Sequence, residues 1–297
     1  MLPTFCYIVT TREDVNMLAM AHASILSLLH IHPGADVRLV VDSPTAKLID
    51  TAYPGIRDAV NGVVERETDL EAEVPSSRYL KTNLRSLVDG DFVFLDIDTV
   101  VLRDISALWD HDCTVAGVQD DNTKGGRFSE ELLGRFRELG WVEPEEPYLN
   151  SGVLFWRDND EGRRLGDAWY GYWKESRPVM YDTDQPPLHQ AIRTTNVSVK
   201  VLPEDYNQKV RDCPQNLRQP AILHWTTRGA LNGRYNLINH LLRYVQEHGA
   251  LDVAAVERAR DRNDPWVAPG PGIKGNWHTG RYLAAAREAW KRVRGTK

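Results

Sequence analysis

Short apolar runs and helical patterns alternate through the first half of the chain. Phe5-Cys6-Tyr7-Ile8-Val9 is rich in β-formers and ends at Thr10-Thr11, which predicts a first strand. Asp14 is placed to cap a helix whose apolar residues Leu18, Ala21, Ile25, Leu28 and Leu29 recur at helical spacing. His32-Pro33-Gly34 stops that helix. Val37 to Val41 reads as a second strand, and Ser43-Pro44 opens another helix. A helix from about Ser77 to Leu87 then precedes the apolar strand Phe92 to Leu95. Strands alternating with helices imply an α/β fold with parallel pairing, a sheet between helix layers, and ligands at the strands' carboxyl ends.

The second half is more mixed. Tyr148 to Trp156 reads as a strand, Glu161 to Lys174 as a helix, and Val197 to Leu202 and Ala221 to Trp225 as strands. Helical patterns return from Tyr235 to His248, and the Pro- and Gly-rich Pro265 to Gly275 reads as an ordered loop or linker. A last amphipathic helix is expected from Arg281 to Arg294, with Leu283, Ala286, Trp290 and Val293 on one side. Arg287, Lys291, Arg292 and Arg294 make its other side basic, as in a membrane-surface anchor. A helix packed on the body with a solvated charged face is the commoner arrangement and the one expected here. The expected division is a catalytic domain over residues 1–250 and a helical extension over 251–297 packed on it.

Composition narrows the classes. The 297 residues have room for one large α/β domain, and a formal charge of −6 argues against a general nucleic-acid binder. Nine tryptophans and eleven tyrosines suit sugar rings, although most are expected in the core. Cys6, Cys113 and Cys213 are odd in number and far apart, which reads as reduced thiols in a cytoplasmic protein. On that reading the Asn196-Val197-Ser198 sequon carries no glycan. No apolar run approaches the roughly 18 residues needed to span a bilayer.

Candidate chemistry begins at Asp96-Ile97-Asp98, directly after the apolar strand. Residues two apart in extended backbone point the same way, so both carboxylates can project together toward a hard divalent cation such as Mg²⁺ or Mn²⁺. His224 ends the apolar strand Ala221-Ile222-Leu223 and could complete the coordination sphere. Asn150-Ser151-Gly152 opens a buried strand and sets an amide at its mouth. Asp184-Gln185 starts a helix over Pro186 to Ile192, where N-capping alone would account for an aspartate. A transition-metal site at His22, His30 and His32 is set aside, because no acidic or cysteine partner lies nearby in sequence.

In this order the segments resemble the retaining GT-A glycosyltransferases of family 8, the glycogenin and lipopolysaccharide galactosyltransferase type. The resemblance covers roughly residues 5–230 and rests on Arg78-Tyr79-Leu80-Lys81, Phe94 to Asp98, Leu149 to Val153, Asp184-Gln185 and Ile222-Leu223-His224. It implies a GT-A fold, a Rossmann-like mixed sheet flanked by helices, and transfer of a hexose from a nucleotide-diphospho-sugar, of the UDP type, with retention. It implies that Asp96, Asp98 and His224 hold Mn²⁺ or Mg²⁺ against the donor diphosphate. Ile8, Thr10, Thr11 and Ile97 would border the nucleotide, Arg78 would neutralise phosphate or orient the donor with Lys81 on the same helix beside it, and Asn150, Asp184 and Gln185 would surround the transferred sugar. The family's Lys-Pro-Trp segment after the metal histidine is missing; the chain reads His224-Trp225-Thr226-Thr227-Arg228-Gly229, and Arg228 is the expected phosphate cation in its place. The acceptor is not specified; the aromatic and basic stretch Trp277 to Arg294 is its expected docking segment.

Two other classes compete. Leu95 to Val100 fits the first motif of haloacid-dehalogenase phosphatases, and Gln119-Asp120-Asp121 mimics their late acidic pair. The short stretch between the two leaves no room for the intervening helices, strands and lysine, which argues against that class. A non-catalytic nucleotide-sugar-binding relative would keep the fold without the full set of acidic and histidine side chains.

Overall fold

A computed structural model describes residues 3–68, 72–210, 217–225, 236–267, 273–278 and 282–294. The chain runs β1 (Thr4–Val9), α1 (Val15–Ile31), β2 (Asp36–Asp42), α2 (Ser43–Ala52), β3 (Gly62–Arg66), α3 (Glu73–Thr82), α4 (Leu84–Leu87), β4 (Phe92–Leu95), β5 (Thr99–Val101) and β6 (Val115–Gln119). It continues through α5 (Glu130–Glu138), β7 (Leu149–Trp156), α6 (Asp160–Met180), α7 (Gln185–Thr195), β8 (Val199–Leu202), β9 (Gln208–Lys209) and β10 (Ile222–His224). Helices α8 (Leu237–His248), α9 (Val253–Arg262), α10 (Ile273–His278) and α11 (Tyr282–Val293) follow.

Seven strands form one mixed sheet in the order β3-β2-β1-β4-β7-β6-β8. The four from β3 to β4 are parallel, while β7 runs antiparallel to both β4 and β6. β1 pairs with β2 on one side and β4 on the other, so the strand order reverses there and opens a crevice at their carboxyl ends. The central strands are buried along almost their whole length because helices cover both faces. On one face Leu18, Ala21, Ile25 and Leu28 of α1 pack on Phe5, Tyr7 and Val9. On the other, Leu80, Leu165, Trp169 and Leu188 pack on Cys6, Phe94 and Trp156. As expected, most tryptophans are core residues: Trp156 stacks on Trp169 and on Phe92.

Asp14 caps α1 by accepting from the Asn16 N–H, and Asp42 caps α2 in the same manner from Thr45. Several expectations are corrected. The helix expected over 77–87 is two pieces, broken at Asn83, whose side chain donates back to the Tyr79 carbonyl and caps α3. α9 was hidden in a charged stretch and buries only Ala255, Val256 and Ala259, in the same core as α1. α10 covers the end of the stretch expected to be loop. In α11, Ala285 is the buried residue, and the side expected to pack faces outward, with Leu283 and Val293 both 80% exposed. The helix meets α10 through Tyr282, whose ring lies 4.7 Å from that of Trp277. No helix among the described residues is long and apolar enough to cross a membrane. Cys6 and Cys113 are buried free thiols; Cys213 lies outside the described residues.

Candidate active site

The carboxyl ends of β1 and β4 open into a cleft of about 910 Å³, within the size range of small-molecule sites. Asp96 and Asp98 enter it where β4 turns into β5. His224 is far away in sequence but reaches them through a second, three-stranded sheet, β5-β10-β9. There β10 pairs antiparallel with β5, setting His224 opposite Thr99, and the Trp225 N–H donates to the Asp98 carbonyl at 3.0 Å. The His224 Nε2 consequently lies 3.3 Å from Asp98 Oδ1 and 3.7 Å from Asp96 Oδ2. Ligand atoms of all three residues fall within 4.8 Å of one another, close enough to share one ion after a small contraction.

Gly152, on β7, is what permits this convergence. A Cβ there would sit 2.3 Å from His224 Cε1, 2.8 Å from Asp96 Oδ2 and 3.0 Å from Asn150 Oδ1. The glycine is thus the floor beneath the three candidate ligands, where no side chain fits.

Two basic residues of α3 organise the acidic ones. Lys81 Nζ donates to Asp96 Oδ1 at 3.0 Å, lies 2.9 Å from Asp184 Oδ2, and sits over the Phe94 ring. Its side chain is 2% exposed, so it meets carboxylates and not the cleft. Arg78, a third exposed and lining the cleft, places Nε 3.2 Å from Asp184 Oδ1. Asp184 also accepts from Ser151 Oγ at 2.8 Å. Burial would raise the Asp184 carboxyl, but the charges of Arg78 and Lys81 and the Lys81 and Ser151 hydrogen bonds outweigh it and hold the group well below the usual carboxylate range. Asp184 occupies the cap position of α7 yet makes no capping hydrogen bond with its side chain, so capping does not account for it.

The cleft gathers Ile8, Thr10, Arg78, Asp96, Ile97, Asp98, Asn150, Asp184, Gln185 and His224 of the expected set. Thr11 is not among its walls. Fully buried, its backbone N–H donates to Thr45 and its hydroxyl faces the Asp14 carbonyl, so it shapes the turn after β1. Lys81 lies behind the wall, as described. Arg228 lies outside the described residues. His22, His30 and His32 go separate ways, toward Tyr53, Glu257 and Asp104 respectively.

Residues 87–233 match the family model of nucleotide-diphospho-sugar transferases. The chain carries a nucleotide-diphospho-sugar transferase domain. No curated protein matches the sequence. Among solved structures, the galactosyltransferase LgtC, in complex with donor and acceptor sugar analogues, is 16% identical over 84% of this chain and 96% of that one, with a TM-score of 0.54. Mouse xyloside xylosyltransferase 1 in its apo form is 12% identical over 77% of this chain and 99% of that one, at 0.52. GlyE, a glycosyltransferase of Streptococcus pneumoniae TIGR4, is 13% identical over 91% of this chain and 67% of that one, at 0.55. The transferase domain therefore has the GT-A fold, and its family removes the phosphatase reading. Asp120, which that reading made an acid, accepts from Asn150 and Lys209 instead.

Sequence reasoning missed Asn207, Lys209 and the roles of Ser151 and Gly152. The last two sat inside a motif read for its asparagine. Asn207 and Lys209 lie in a short turn and a two-residue strand that carry no periodic signal.

Proposed function

We propose that this chain is a metal-dependent glycosyltransferase that moves a hexose from a nucleotide-diphospho-sugar, of the UDP type, to an acceptor hydroxyl with retention of configuration. The observation that carries the proposal is the meeting of Asp96, Asp98 and His224 in one cleft, over a glycine whose missing Cβ leaves room for an ion. Two carboxylates and an imidazole nitrogen suit Mn²⁺ or Mg²⁺, and these residues would hold it. When bound, the ion would supply positive charge to the diphosphate that leaves.

The chain's own residues do the rest. Ile8, Thr10 and Ile97 border the nucleotide at the carboxyl ends of β1 and β4. Arg78, at the cleft wall, would neutralise phosphate or orient the donor, and Arg228 is the second candidate cation. Asp184, held ionised, cannot act as a proton donor near neutral pH. It stabilises positive charge that develops on the sugar ring and accepts hydrogen bonds from the sugar hydroxyls. Gln185 begins α7 beside it in the cleft and would stand near the reacting carbon as the acceptor attacks from the same face as the departing group. The catalytic domain is assigned to 1–250 and the extension to 251–297, with Trp277 to Arg294 as the segment nearest in character to an acceptor-docking surface.

The test is release of UDP from a panel of UDP-sugars, with Mn²⁺ and with EDTA. Asp98→Ala should fold normally and lose about a thousand-fold in turnover, since the metal's contribution is worth several kcal/mol. Full turnover by that variant in EDTA would end the proposal.

A further inference from the structure

A chain of four hydrogen-bonded side chains runs through the cleft wall to the imidazole of His224. Asp120 accepts from Asn150 Nδ2 at 3.0 Å. Asn150 Oδ1 accepts from Asn207 Nδ2 at 2.8 Å, and Asn207 Oδ1 lies 2.7 Å from His224 Nδ1. Asp120 and Asn207 are each 3% exposed, so water does not compete for these bonds.

The direction of the chain is fixed twice. An ionised carboxylate has only acceptors, so the amide nitrogen of Asn150 must face Asp120. Independently, the Gly152 backbone N–H donates to Asn150 Oδ1 at 3.0 Å, and a backbone N–H cannot reverse its role. The second N–H of Asn150 goes to Gln185 Oε1 at 3.3 Å, so all four bonds open to that amide are made within the protein. With its oxygen so placed, Asn150 requires the NH₂ of Asn207, and Asn207 in turn presents its oxygen to His224.

We propose that Asn207 is a positioning residue that selects the Nδ1–H tautomer of His224 and so keeps the lone pair on Nε2, the nitrogen that faces Asp96 and Asp98. The inference rests on the metal role given to His224 above. A histidine ligand whose distal N–H is held by an acceptor is fixed in ring direction and made more basic, and losing such a partner costs about 10–100-fold in metal affinity. Asn150 then serves the cation site through Asn207 and not by free contact with the sugar.

The experiment has two readouts. ¹⁵N-histidine spectra of the metal-free wild type report which ring nitrogen carries hydrogen. Calorimetric titration with Mn²⁺ alone reports affinity. The wild type should show hydrogen on Nδ1 of His224. Asn207→Leu should release the tautomer and weaken Mn²⁺ binding about 10–100-fold. Asn207→Asp keeps an acceptor oxygen toward His224 while losing the N–H given to Asn150, and should keep the Nδ1–H tautomer. Hydrogen on Nε2 in the wild type, or wild-type Mn²⁺ affinity in a folded Asn207→Leu, would overturn the proposal. If Asn207→Leu does not fold, the wild-type spectrum and Asn207→Asp still decide. A wild type with the expected tautomer that binds no Mn²⁺ would instead sink the metal reading itself.

Discussion

Replacing Gly152 by alanine tests the geometry of the cation site without removing any ligand. The new methyl would lie 2.3 Å from His224 Cε1 and 2.8 Å from Asp96 Oδ2. Retreat of the strand is blocked: the Gly152 carbonyl accepts from the Asp96 N–H at 2.8 Å, and its N–H holds Asn150. His224 must therefore give way by about 1 Å and Asp96 by about 0.6 Å to reach van der Waals contact, whereas ion coordination tolerates about 0.2 Å. Mn²⁺ affinity should fall at least about 10-fold, the loss seen when only the outer partners of metal ligands are disturbed, and overpacking should cost about 1–3 kcal/mol of stability. Calorimetry with Mn²⁺ and urea unfolding measure the two effects. Gly117→Ala is the control, because its methyl would press on the movable Leu154 Cδ2 at 2.9 Å, away from the ligands. Wild-type Mn²⁺ affinity and an unmoved unfolding midpoint in Gly152→Ala would refute the reasoning.

Other consequences can be checked on the same samples. Lys81→Met leaves Asp184 buried with Arg78 as its remaining described cation, and breaking such a buried pair should cost about 3 kcal/mol in urea unfolding; a loss below about 1 kcal/mol would mean that Lys81 is dispensable. Burial lowers His22 and His189 to about 4, against the opposing Asp58 charge and a hydrogen bond at Pro147 respectively. Their folded values lie below the unfolded value of about 6.5, so the unfolded chain takes up more protons between the two. Their stabilising contribution is complete above about pH 6.5 and should drain away as pH falls toward 4; a flat unfolding midpoint across that window would contradict it.

The sheet and the Asp96–Asp98 pair were legible because their signals are local. An apolar run with β-formers becomes a buried strand, and two residues apart share a side. His224 was legible as a histidine at a strand end, but its meeting with the two aspartates was not, since the pairing of β10 with β5 joins segments far apart in the chain and leaves no periodic trace. Lys81 shows the opposite failure. Its position suggested a phosphate contact, but α3 ends at Thr82, and that places the ammonium beneath the carboxylates. Asn207 could not be read at all, because its role exists only once three other segments have met. The outward-turned α11 was misread because amphipathic spacing says which residues share a side and not which side finds a partner.

The arrangement of charge explains why a buried lysine belongs in such a cleft. Asp96, Asp98 and Asp184 would repel one another if only water stood between them and a dication were absent. Lys81 bridges Asp96 and Asp184, and Arg78 takes the other oxygen of Asp184, so the acidic wall can assemble before any ligand arrives. Three carboxylates against two cations leave this wall one charge negative; Asp120 and Lys209 nearby cancel each other. On the proposed function, a divalent ion would turn that deficit into a single positive excess that favours a diphosphate, while leaving Asp184 anionic. Lys81 also ties Asp96 to Asp184 through one nitrogen, so a movement of Asp96 would be felt at Asp184. Removing Lys81 should therefore disturb both sides together, even though its own side chain never reaches the ligand.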